Sequence, residues 1–249
     1  GMTMKKFLTA TVFCAALMFG PWGDRPAFAN LEKLCPHLSP ELSSKFTVTA
    51  FSIWGEFNSF VACIARLTRD DLRSAKQYVS SLTEPWARVV GFLTIAAAAY
   101  APEDFDSWKP LLTLVSKDIK RVKNARARSE AFILLAAQYL RLREASAASS
   151  AVTRAYTESI SIRQGSSRDH TLRTLSLFLV APNKMREPPP SFKDQWFALR
   201  QLISLEKFDL TGNAGPLAIK AAAKISKPSE RSRTFIEIAR AFALNNETS

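Results

Sequence analysis

The chain has 249 residues, of which 47% are hydrophobic and 22% are charged, and its mean hydropathy is −0.04. This composition is typical of a folded, core-forming protein and excludes a disordered chain or a polytopic membrane protein. Only eight Gly accompany thirteen Pro, so Gly-rich phosphate loops and turn-dense β architectures are not expected. The formal net charge of +12 predicts attraction to anions.

The N-terminal segment 1–29 has the organisation of a secretory signal peptide. Gly1 is interpreted as an expression scar before Met2. Two lysines precede an apolar run at 7–20, and the small residues at positions 27 and 29 predict cleavage before Asn30. The run is shorter than the roughly 20 residues of a spanning helix, although an uncleaved anchor is the alternative. We therefore expect a signal peptide at 2–29 and a periplasmic or secreted mature chain.

The expected export determines how the three cysteines are interpreted. Cys14 would leave with the signal peptide, and Cys35 and Cys63 would remain. An even pair in an oxidising compartment tends to form a disulfide bond, and this one would contribute about 3 kcal/mol in the chain-entropy model. The alternative is that Cys63, which lies between Ala62 and Ile64, is a small buried core residue.

The mature chain has a helical pattern of hydrophobic residues. Apolar residues recur at three- and four-residue spacing, and strand-like alternation is confined to 46–51. We predict an all-α fold in one domain, 30–249, after an irregular N-terminal segment. Pro85 predicts a helix start and Gly165 a helix end. The Pro-rich stretch at 182–191 predicts an interruption of the helical domain.

One motif recurs along the chain. It consists of Arg, two variable residues, a small residue, Phe, an aliphatic, any residue, an aliphatic and Ala. Copies lie at 88–96, 128–136, 173–181 and 231–239, and 57–65 fits loosely without the Arg. A second helix is expected after each of the first four copies along the chain, at 69–82, 107–123, 144–162 and 192–205. Because a lone hairpin cannot bury both faces, stacked helical hairpins are expected.

The motif also predicts which residues form the core. Its fifth, eighth and ninth positions share one face of a helix. The predicted core residues are Phe92, Ile95, Ala96, Phe132, Leu135, Ala136, Phe235, Ile238 and Ala239.

The repeated first helix, followed by an Ala-bearing second helix, resembles a degenerate tetratricopeptide-type α-solenoid over most of residues 40–249. The resemblance implies a right-handed superhelical stack with a concave face for protein or peptide ligands. No copy carries the full tetratricopeptide pattern with its Trp, Leu-Gly and closing Pro. No functional residue is therefore transferred from the family.

Side chains that could support catalysis or metal binding are few. Ser167, Asp169 and His170 have the residue types of a triad, but neighbours in sequence cannot adopt its geometry. We interpret Ser167 or Asp169 as the N-cap of a helix that begins near Thr171. His37 lacks a second pair of ligands for a metal. We expect no catalytic site, no metal site and no cofactor; an envelope hydrolase would need clustered carboxylates.

Positive charge is concentrated after residue 116, and the candidate binding residues are Lys117, Lys120, Arg121, Lys123 and Arg126. Cations at a helix C-terminus interact favourably with the helix dipole, which accounts for part of this run. Without the segment 1–29 the chain still has an excess of basic over acidic residues, so we also expect the run to contribute a positive mouth to a groove.

The leading hypothesis is a non-enzymatic, exported protein that binds a protein or peptide partner in the cell envelope, with an acidic partner among the candidates. The alternative is a binder of anionic envelope polymer or of a lipid surface, which would contact the membrane without spanning it. Nucleic acid is not expected as a partner in this compartment.

Overall fold

The computed structural model describes residues 54–99, 105–181 and 214–247, and in these ranges the regular structure is helical throughout. The all-α prediction is confirmed. In chain order the helices are α1 Trp54–Asp70, α2 Leu72–Ser81, α3 Pro85–Ala98, α4 Phe105–Arg121, α5 Ala125–Arg141, α6 Ala145–Ser161, α7 Gly165–Val180, α8 Ala214–Ala223 and α9 Pro228–Glu247. The predicted signal peptide with its cleavage site before Asn30, Cys35 and the Pro-rich stretch at 182–191 lie outside the described residues.

The helices alternate between two rows. The odd row consists of α1, α3, α5, α7 and α9, and each of these helices contacts the next odd-numbered one. The even row consists of α2, α4, α6 and α8, and each of these packs on the odd helix before it and the odd helix after it. The odd row is therefore the common support on which every even helix lies.

The helix starts are regularly spaced in the middle of the chain. Helices α3, α5 and α7 begin at positions 85, 125 and 165, which are evenly spaced, and α9 begins after a longer interval at position 228. A buried aliphatic residue lies three positions before each of these four starts: Leu82, Val122, Ile162 and Ile225. Each turn between an even helix and the following odd helix is thus anchored in the core at the same point.

Local sequence explains several of the helix boundaries. The Asp71 side chain accepts a hydrogen bond from the Ser74 N–H (3.1 Å) in front of α2, and Asn124 accepts one from the Ala127 N–H (3.0 Å) in front of α5. Pro85 occupies the first turn of α3, where its missing N–H costs nothing. The prediction of a helix start at Pro85 is confirmed.

Seven of the nine predicted core residues are buried, with at most 6% of the residue exposed: Phe92, Ile95, Ala96, Phe132, Leu135, Ala136 and Ile238. Phe235 is only partly buried, and the prediction for Ala239 is wrong because this residue is exposed. Both lie on α9, the last helix of the odd row among the described residues. There the motif position that is buried as Leu93 on α3 and as Ile133 on α5 is exposed, and 52% of Ile236 is accessible.

The predicted end of a helix at Gly165 is wrong, because Gly165 is the first residue of α7. Because α7 begins before the predicted start near Thr171, the copy of the motif assigned to 173–181 is better placed five residues earlier. Arg168, and not Arg173, follows Arg128 at the interval that separates Arg128 from Arg88, and the buried Leu172 occupies the Phe position after it. The even spacing of the turns before α3, α5 and α7 was the signal from which the position of this copy of the motif could have been predicted.

Candidate binding surface

The five cations predicted as binding residues lie around the turn between α4 and α5. Lys117, Lys120 and Arg121 are exposed on α4, and Lys123 is exposed in the turn. Arg126 is the second residue of α5 and forms an ion pair with Glu130 on the same helix (2.8 Å). Arg121 is 3.5 Å from Asp118, but its side chain is 63% exposed, so solvent screens this pair strongly.

The even helices carry more cations than carboxylates. The four even helices contain eight cations and three carboxylates. The cations are Arg73, Lys76, Lys109, Lys117, Lys120, Arg121, Arg154 and Lys220. All are exposed except Lys76, which is half-buried. The even row therefore presents a strongly positive surface.

The carboxylates of the even row do not neutralise this surface, because two of the three face inward. Asp118 on α4 lies 2.9 Å from Arg88 on α3, and its side chain is 3% exposed. At the equivalent positions of the next pair of helices, Glu158 on α6 lies 2.8 Å from Arg128 on α5. The third is Asp106, near the start of α4. Arg88 and Arg128, the first residues of two copies of the motif, therefore connect neighbouring helices.

Each pair of neighbouring even helices is joined by a cation that contacts a ring or a hydroxyl group. Lys76 of α2 lies 4.8 Å from the ring centroid of Trp108 on α4. Arg154 of α6 donates a hydrogen bond to the Ser116 hydroxyl on α4 (3.3 Å). Lys220 of α8 lies 5.1 Å from the Tyr156 ring of α6. Cation–π contacts hold these side chains in place without cancelling their charge.

An open cavity of about 750 Å³ lies along α6. Its described lining consists of Ala145, Ser146, Ser149, Ser150, Thr153 and Arg154. None of the five predicted cations belongs to this described lining, and that they give a groove a positive mouth stays a prediction. The lining hydroxyl groups recur at three- and four-residue spacing, a pattern that is visible in the sequence and typical of one exposed helix face.

Arg154 is the charged residue of this described lining, and it is held from two directions. Its guanidinium lies 5.9 Å from the ring centroid of Phe132 on α5, besides donating to Ser116. The charge of Arg154 also affects Tyr139 on α5. Burial raises the pKa of the Tyr139 phenol, and the positive charge of Arg154 partly opposes that rise. Neither of the described contacts of Arg154 is with a carboxylate.

The three residues with the side-chain types of a triad all lie on α7. Asp169 lies inside α7 and binds the turn in front of α9 instead of capping its own helix, so that part of the N-cap interpretation is wrong. Its carboxylate accepts hydrogen bonds from the Ser226 N–H (2.8 Å), the Ser226 hydroxyl (2.6 Å) and the Lys227 N–H (3.0 Å). Burial raises the pKa of Asp169, but these hydrogen bonds outweigh it and the pKa is lowered overall. Ser167 also lies inside α7, and His170 is exposed.

Cys63 lies on α1, is 9% exposed and is disulfide-bonded. The second sulfur of this bond lies outside the described residues, and the pairing with Cys35 stays a prediction. Within the described ranges no cluster of three or more His, Cys, Asp or Glu side chains could hold a metal ion. No helix in those same ranges is long and apolar enough to cross a membrane.

Comparison with known proteins gives no family assignment: no protein family, curated protein or solved structure matches the chain.

Proposed function

We propose that the chain is an exported, non-enzymatic helical-repeat protein that binds an acidic protein or peptide in the cell envelope. The observation that carries this proposal is the charge of the even row. Eight cations lie on its four helices, while Asp118 and Glu158 are bound to arginines of the odd row. A surface with one sign of charge attracts and orients a partner of the opposite sign.

The arrangement of helices supports a repeat architecture as part of the same proposal. Consecutive odd helices contact one another, the starts of α3, α5 and α7 are evenly spaced, and equivalent ion pairs join Arg88 to Asp118 and Arg128 to Glu158. A tetratricopeptide-like right-handed superhelix is consistent with these features. In such stacks one row of helices commonly provides the surface for a ligand.

The even row has the same attraction for an anionic polymer or a lipid surface, which is the second candidate. Lys117, Lys120 and Lys123 favour it, because they are exposed and have no ion pair with a described residue. Long flexible lysines suit non-specific attraction to a charged surface, whereas arginines held by neighbours suit recognition of particular groups.

Binding of the mature chain, residues 30–249, to a poly-glutamate peptide tests the first candidate. We expect binding that weakens at least tenfold between roughly 50 and 300 mM salt. The variant Lys117→Glu/Lys120→Glu should bind more weakly, while Arg66→Glu/Arg69→Glu, with the same change of charge on the odd-row helix α1, should bind nearly as the wild type does. Equal losses in the two variants would mean that only net charge matters.

Vesicles separate the two candidates. Vesicles made of phosphatidylcholine and the anionic lipid phosphatidylglycerol should compete poorly with the peptide for the mature chain. If the chain binds these vesicles and not the peptide, the lipid-surface candidate replaces the peptide-binding one.

A further inference from the structure

The exposed face of α6 lies between two positively charged side chains. Successive residues of a helix are rotated by about 100°, which places Ser146, Ser149, Ser150 and Thr153 on one outward face. Arg154 flanks this face on the side of α4, where it contacts Ser116. Lys220 of α8 flanks the other side, where it lies over Tyr156. We call the surface between Arg154 and Lys220 the α6 groove.

The hydroxyl groups of the α6 groove differ in what they can offer a ligand. The Thr153 hydroxyl donates to the Ser149 carbonyl oxygen (3.0 Å), and the Thr157 hydroxyl donates to the Thr153 carbonyl oxygen (3.1 Å). Because their hydrogens are already used, these two oxygens face solvent as hydrogen-bond acceptors. Acceptors require N–H or O–H donors from a ligand. A peptide backbone supplies N–H groups, whereas a fully ionised phosphate polymer supplies none.

We propose that the α6 groove binds an extended acidic peptide segment of the partner, with two carboxylates three residues apart on Arg154 and Lys220. The proposal rests on the function proposed above and specifies its site. The two cations lie on opposite flanks of a helix whose diameter with side chains is about 10 Å. A chain in the extended polyproline II conformation rises about 3.1 Å per residue and has three residues per turn, so the side chains of residues i and i+3 project from the same side about 9 Å apart and span this width.

Arg154 is the principal anchor in this proposal. Its guanidinium has a planar fork that matches a carboxylate, and the Phe132 ring and the Ser116 hydroxyl already restrict its position. Less conformational entropy is therefore lost when it binds a ligand. The Thr153 oxygen lies one residue before it, where it can accept a hydrogen bond from the peptide backbone.

Two labelled short peptides of equal length and the same composition test the spacing. Each contains two Glu in a Gly/Ser background, at positions i and i+3 in one peptide and at i and i+1 in the other. Fluorescence anisotropy with the mature chain should give at least tenfold tighter binding of the i, i+3 peptide. Equal affinity for the two peptides would overturn the proposal.

Variants of the α6 groove locate the binding. Arg154→Gln and Lys220→Gln should each remove the preference for i, i+3, and Arg154→Lys should keep only part of it. Lys109→Gln, which removes a cation from the even row outside the described groove, is the matched control and should preserve the preference. Thermal unfolding of each variant verifies that the fold is retained.

The outcomes distinguish failure of the proposed function from failure of the proposed site. A wild-type chain that binds neither poly-glutamate nor the i, i+3 peptide contradicts both the proposed function and this site. A chain that binds poly-glutamate equally well with and without Arg154→Gln contradicts the site alone. Inorganic polyphosphate that displaces the i, i+3 peptide at an equal concentration of negative charge also contradicts it, because the acceptor oxygens would then confer no selectivity.

Discussion

Replacement of Gly91 by Ala should destabilise the protein, although Ala is the better helix former. Gly91 lies in the middle of α3, and a Cβ atom there would be 2.7 Å from both γ carbons of Val79 on α2. Ordinary contacts between carbon atoms are about 3.5–4.0 Å long, so the new methyl group would overlap both branches. Val79 is fully buried and β-branched, so rotation of its side chain cannot relieve both contacts.

The expected change in the free energy of unfolding is the sum of two opposing contributions. Overpacking of a buried site lowers the free energy of unfolding by about 1–3 kcal/mol, and replacing Gly by Ala inside a helix raises it by about 1 kcal/mol. Because the overlap involves a stiff side chain, we expect the upper part of that range and a net loss of about 1–2 kcal/mol. Urea unfolding followed by circular dichroism measures the change in the free energy of unfolding.

A double-mutant cycle identifies the cause of the loss. Val79→Ala removes both γ carbons and leaves the Cβ of residue 79 at 3.3 Å, so in that background Gly91→Ala should be neutral or should stabilise the protein by up to about 1 kcal/mol through helix propensity. Gly215→Ala is the control, because the nearest atom there is the outer end of the Phe242 ring, at 2.8 Å, and that residue is 38% exposed and has room to turn. A Gly91→Ala variant as stable as the wild type, or an equal effect in both backgrounds, would refute the reasoning.

Three further predictions follow from the fold and from the cysteine pair. Phe132→Ala should lower the free energy of unfolding by about 3–5 kcal/mol in a urea titration, because this ring is 2% exposed in the core and leaves a cavity; a loss below about 1 kcal/mol would contradict that packing. Because the pKa of folded Asp169 lies below its ordinary value of 3.8, its contribution to stability is complete above that pH and is lost as the pH falls through the lower folded value. Between pH 6 and pH 3, Asp169→Asn should therefore lose less stability than the wild type in parallel urea titrations, and identical slopes would exclude this carboxylate as a source of acid sensitivity. Reduction of the bond at Cys63 should lower the melting temperature, and Cys35→Ser should abolish that response if Cys35 holds the second sulfur.

Helix content and core positions were predictable from the sequence because both depend on short-range periodicity. Phe92, Phe132 and Ile238 are buried because each lies on the apolar face of its own helix, which a window of two or three turns already reveals. The exposure of Ala239 could not be read in the same way. Its local pattern matches that of Ala96 and Ala136, and what differs is that no further odd helix of the described residues follows α9.

The α6 groove depends on information that a linear pattern does not contain. The positions of Ser146, Ser149 and Thr153 on one helix face can be inferred from their spacing. Their position beside Lys220, which comes from α8, depends on how both helices pack on α7. The direction in which Asp169 points has the same origin, because its hydrogen-bond partners, Ser226 and Lys227, are distant in sequence.

Selection can act separately on the two rows of helices. Partly buried ion pairs connect α4 and α6 to the odd row through Asp118 and Glu158, and the turns that follow these helices are anchored in the core. Outward residues such as Ser150 and Lys117 are exposed, and changes at such surface positions usually alter the free energy of unfolding by less than about 0.5 kcal/mol. Descendants of this chain can therefore acquire different partners by substitution on the outer face of the even row while the inward residues keep the fold unchanged.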